Sequence, residues 1–98
     1  MTTADFTASL DHNAPPPNLP ATLQALWWDA KGDWSRAHSL VDDLSTHDAM
    51  TVHAYLHRKE GDAGNAAYWY RQASEAVQHG PLEDEWNALV AHLLSPIS

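Results

Sequence analysis

The chain has 98 residues, with 13 acidic and 5 basic side chains and a formal charge of −8 when histidine is neutral. That is one domain's worth of chain, able to bury a modest core without crosslinks. With no cysteine, it can form no disulfide, no thiolate metal site and no thiol nucleophile. Its acidity disfavours nucleic-acid backbones and anionic membrane surfaces alike.

The N-terminus has neither a basic start nor an apolar run, so it does not read as a signal peptide, and with the missing cysteines this points to a cytoplasmic setting. No uninterrupted apolar stretch is long enough to span a bilayer. Protonation of all seven histidines would bring the net charge close to zero, so solubility should fall toward mildly acid pH.

Residues 1–19 are mostly small and polar, with Pro15, Pro16 and Pro17 in a row. This predicts an extended or disordered arm, anchored by Phe6 or Leu10 if it touches the body. Residues 20–98 then read as a single helical domain. Pro20 suits the first turn of a helix, Leu23, Leu26, Trp27 and Ala30 recur at helical spacing, and Gly32 ends the run. Asp33 caps a second helix over about 34–44, with Trp34, Ala37, Leu40, Val41 and Leu44 on one face. Ser45 and Asp48 resemble a capping pair for a third helix over about 47–60, closed by Gly61. Asp62 opens a fourth, with Ala66, Tyr70, Ala73 and Val77 in line, running until His79-Gly80-Pro81. The fifth begins with the acidic turn Glu83-Asp84-Glu85, carries Trp86, Leu89, Val90 and Leu93 inward, and stops at Pro96. No period-two strand pattern occurs, so the class is all-α with about five antiparallel helices.

Two stretches align about 29 residues apart: LWWDAKGDWSRAHSLVDDL (26–44) and YLHRKEGDAGNAAYWYRQA (55–73). Each reads helix, Gly-Asp, helix, with an alanine at matching offset, Ala37 and Ala66, where two helices would approach closely. Here the chain resembles the tetratricopeptide and Sel1-like helical hairpin repeats. GDWSRAHSLV is similar to the Gly-Asp-aromatic-x-x-Ala segment of the former, and AAYWYRQASE to the Ala-x-x-Trp-Tyr-Arg-x-Ala segment of the latter. Over residues 21–78 the resemblance implies two antiparallel hairpins, with the last helix as a cap, and a role in protein–protein contact.

The chemistry-bearing candidates are few. His53 and His57 lie four apart, hence on one face of a helix. With Ala54 between them the pair is not the His-Glu-x-x-His of zinc proteases, and a metal would need a third ligand. Antiparallel packing around residues 45–46 would bring His38 level with His53, and Arg58 beside His57 could hold a carboxylate. The first reading is of polar residues satisfied at the edge of the core. The second is a ligand or partner pocket formed by His38, His53, His57 and Arg58, and the third a metal; none is assigned from sequence, and no motif implies a cofactor.

Five tryptophans are many for this length. Because Trp27 and Trp28 are adjacent and cannot both face inward, Trp27, Trp28, Trp34, Trp69 and Trp86 are candidates for an interaction surface. No nucleophile elbow and no glycine-rich phosphate loop is present. The expected function is therefore a small non-enzymatic helical module for protein contacts, including its own homodimer. The alternative is a small-molecule or metal site around His53 and His57, with an enzymatic role left open.

Overall fold

The computed structural model describes residues 1–95, which are helical throughout their regular structure and contain no strand. Six α-helices follow in order: α1 (Thr3–Ala8), α2 (Ala21–Ala30), α3 (Trp34–Val41), α4 (His47–Lys59), α5 (Ala63–Gln72) and α6 (Leu82–Leu94). The helix beyond the expected five is α1, inside the segment read as an extended arm. Thr2 and Asp5 form a reciprocal capping box there, satisfying the amides that a short helix otherwise leaves free. A 3₁₀ turn, Ser9–Asp11, continues it.

Phe6 is the anchor. It is fully buried, with its ring 5.9 Å from that of Trp86. Lys31 fastens the end of the segment by donating from Nζ to the carbonyls of Leu10 (2.7 Å) and His12 (3.1 Å).

Both glycine corners form as the spacing predicts. Gly32 and Gly61 have φ of 88° and 91°, a region where a side chain is strained. At each corner the two amides after the helix turn back: Gly32 to Asp29 and Asp33 to Trp28, then Gly61 to Arg58 and Asp62 to His57. This is the Schellman closure of a helix C-terminus. Asp33 and Asp62 then cap the next helices by accepting from the amides of Arg36 and Asn65. Ala37 and Ala66, both buried, let α3 lie on α2 and α5 on α4.

Several boundaries differ from the sequence reading. α3 ends at Val41, because Asp42 and Asp43 place negative charge at the negative end of the helix. Leu44 consequently lies outside the helix and is exposed. Thr46, not Ser45, caps α4 through the amide of Ala49. α5 stops at Gln72, not near 78: Ser74 takes a left-handed conformation (φ 58°), and Ser74 and Glu75 close the helix onto Arg71 and Tyr70. The chain then runs back so that Glu75 meets His47 at 2.8 Å, which leaves Val77 exposed in the loop. Ala30 is exposed as well, and the buried neighbour is Asp29, held by Tyr55 Oη (3.2 Å) and Lys59 Nζ (3.0 Å). Pro96, expected to stop the last helix, lies outside the described residues.

The core sits around α4, which packs on α2, α3, α5 and α6. Every residue from Val52 to His57 is buried. A helix enclosed on all sides is ordinarily apolar all round, yet this one carries Tyr55, His53 and His57. None of the described helices is long and apolar enough to cross a membrane.

Candidate functional site

α4 brings two imidazoles into the interior because its i and i+4 positions share a face, and α3 adds a third. The rings of His53 and His57 stack at 4.8 Å, and those of His38 and His53 meet edge to face at 4.7 Å. Nε2 of His38 lies 3.0 Å from Nε2 of His53. One nitrogen from each of the three rings falls within 4.8 Å of the others. His53 and His57 are buried and His38 is partly exposed.

Two tryptophans hold the rings in place. Trp34 stacks on His38 at 4.8 Å with planes 13° apart, and Trp69 on His53 at 4.1 Å and 20°. Trp34 is itself pinned, donating its indole N–H to the Leu56 carbonyl at 2.7 Å.

The outer nitrogens face carboxylates. His57 Nδ1 lies 2.6 Å from Glu60 Oε2, and His38 Nδ1 3.9 Å from Asp42 Oδ2. Neither acid was singled out as a site residue from the sequence, although Glu60 is three residues after His57 and Asp42 four after His38, both helical-neighbour spacings. His53 has no such partner, and its Nδ1 is buried without a hydrogen bond. Burial pushes the His53 pKa down to about 4, with the nearby His38 and His57 adding to the effect and Asp42 opposing it. His53 is therefore neutral at physiological pH, with a lone pair on one ring nitrogen.

Arg58, grouped with these histidines on sequence, serves a different face of α4. Its guanidinium pairs with Glu85 Oε1 at 2.7 Å and donates to the Gly80 carbonyl. Tyr70 donates to the other oxygen of Glu85 at 2.5 Å, and burial first, then that carboxylate, raises the Tyr70 pKa. This network borders a cleft of about 340 Å³ between α4, α5 and α6, whose rim includes His47, Asp48, Glu75 and His92. A second hollow of about 260 Å³ lies over Asp29, Tyr55 and Lys59. Neither of these two cavities is lined by His38, His53 or His57.

The tryptophans act chiefly as fasteners. Trp27 is fully buried and donates to Ser9 Oγ at 3.1 Å, and Trp86 is 9% exposed and donates to the Leu26 carbonyl at 3.0 Å. Those two are committed to the core and are not available to a partner. Trp28, Trp34 and Trp69 are half-buried, Trp28 beneath the Arg36 guanidinium at 4.1 Å. No protein-family model, no curated protein and no solved structure matches the chain.

Proposed function

We propose that the chain is a small non-enzymatic binding module whose ligand site is the histidine cluster of α3 and α4, roofed by Trp34 and Trp69. The observation that carries this reading is His53. It is 3% exposed on the most enclosed helix, yet its Nδ1 has no partner. Leaving such a group unpaired costs about 1–3 kcal/mol, and an apolar side chain would avoid that cost. Sites kept for binding are characteristically less stable than the best packing at the same position.

The test is thermal unfolding of His53→Leu. A binding site predicts a melting temperature above wild type, because the orphaned polar atom is gone. A melting temperature several degrees lower would mean that the imidazole is a structural part of the core.

Kinship with tetratricopeptide or Sel1-like repeats, and the protein-contact role that goes with it, belong to the same proposal. The two Gly-Asp corners share backbone angles, with φ/ψ of −104°/75° at Asp33 and −98°/78° at Asp62, as glycine-closed, aspartate-capped corners do in any helical protein; the motif likeness in the sequence is what supports kinship. Self-association has less support, since the large exposed apolar side chains Met1, Leu44, Tyr68 and Val77 are spread over separate segments. A cytoplasmic setting accords with the absence of cysteine.

A further inference from the structure

We infer that the ligand of the histidine cluster is a divalent transition-metal ion of the zinc type, held by His38, His53 and His57, with Glu60 orienting the His57 ring. This rests on the binding-site reading above and goes further by naming the chemistry: the His53 atom beside His38 is Nε2, while the unpaired Nδ1 marks the ring as one that packing alone does not require.

The donor set selects the class of ion. Three imidazole nitrogens suit zinc, copper, nickel or cobalt, whereas magnesium and calcium take oxygen ligands. Three protein ligands with an open fourth position is an established arrangement for zinc. At Zn–N bonds of about 2.0–2.1 Å, tetrahedral donors stand about 3.3 Å apart. The Nε2 atoms of His38 and His53 are already 3.0 Å apart, and one nitrogen from each of the three rings lies within 4.8 Å of the others.

The surroundings fit as well. A ligating histidine typically gives its other N–H to a carboxylate, which fixes the tautomer and makes the coordinating nitrogen more basic. Glu60 stands in that relation to His57, while Asp42, 3.9 Å from His38 Nδ1, supplies nearby negative charge without a hydrogen bond. His57 Nδ1–H donating to Glu60 leaves the lone pair on Nε2. The stacked indoles of Trp34 and Trp69 restrict ring rotation, so part of the ordering cost of coordination is met before the ion arrives. The net charge of −8 favours the approach of a dication. His57, Glu60 and Asp62 also lie close together, but Asp62 is engaged as the cap of α5, so the three-imidazole set is the better site.

The experiment is calorimetric titration of the untagged, metal-stripped full chain with Zn²⁺, alongside His38→Ala, Glu60→Gln and Asp84→Asn. His38 is partly exposed at the edge of the core, and Asp84 lines the cleft that the three histidines do not. One ion per chain is expected, with binding weakened at least tenfold in His38→Ala, about tenfold in Glu60→Gln and unchanged in Asp84→Asn. Absence of binding at millimolar Zn²⁺, or equal binding by wild type and His38→Ala, overturns the assignment. The two readings fail separately. If His53→Leu is stabilised but wild type takes up no Zn²⁺, the site stands and the metal falls. If His53→Leu is destabilised, the imidazole is a structural part of the core and the stability argument for the site falls, while the metal assignment is decided by the titration alone.

Discussion

Arg58 and His57 are adjacent in sequence but serve opposite tasks, because successive residues on an α-helix point about 100° apart. His57 turns toward α3 and Arg58 toward α6, where it neutralises Glu85. Removing one partner of a buried ion pair strands the other charge, so Arg58→Met should cost about 3–5 kcal/mol in urea unfolding while leaving Zn²⁺ affinity unchanged. Stability unaffected by that substitution would show that the pair does not hold α6 in place. His53 predicts a pH dependence of the metal-free protein. Its pKa is pushed down to about 4 in the folded chain from 6.5, so the unfolded chain binds the proton more readily. Stability is full above about pH 6.5 and declines as pH falls toward 4, a loss on the order of 3 kcal/mol from this group. Asp42, His38 and His57 are the titratable groups acting on it. Urea midpoints measured between pH 7 and pH 4.5, in wild type and in His53→Leu, isolate the effect; the same decline in both would assign it elsewhere. Of the site, the His53–His57 face was legible from spacing, and His38 followed from the antiparallel turn. Arg58 was misgrouped because nearness in sequence was taken for nearness in space. Asp29, Tyr55 and Lys59 escaped notice because their pairing joins α2 to α4, a contact that no local pattern encodes.

Helix ends were legible where a single residue type decides the geometry and obscure where a long-range contact does. Gly32 and Gly61 announce their corners because only glycine takes positive φ without strain. A Cβ added at Gly61 meets nothing within 4 Å, so Gly61→Val costs backbone strain alone, about 1–2 kcal/mol. The end of α5 gives no such notice. Ser74 occupies the left-handed position that glycine fills at the other two corners, and the chain turns there toward His47, a residue 28 positions from Glu75. Ser74→Gly should therefore stabilise the protein by a few tenths to about 1 kcal/mol. An unchanged or lower unfolding free energy would show that the left-handed serine carries no strain to relieve. The early end of α3 was in principle readable, since paired aspartates oppose a helix C-terminus, but Leu44 extended the apolar pattern past them.

Over the whole molecule, the fold class was readable because helical periodicity and punctuation agree along most of the chain. The docking of residues 1–11 was not, because it depends on Phe6 meeting Trp86 of α6, Ser9 meeting Trp27 of α2, and Lys31 at the end of α2 reaching the Leu10 carbonyl. Phe6→Ala should cost about 3–5 kcal/mol, a large share of the stability of so small a domain, and differential scanning calorimetry would show it. The three imidazoles join α3 to α4, so an ion held between them links the two hairpins and adds its binding energy to folding. The most direct measurement is urea unfolding of the untagged chain with a chelator and with Zn²⁺ at about 100 times its dissociation constant. The account predicts an increase of about 2.7 kcal/mol for wild type and, with binding weakened at least tenfold, no more than about 1.4 kcal/mol for His38→Ala at the same Zn²⁺ concentration. Coincident unfolding curves for wild type with and without zinc would contradict it.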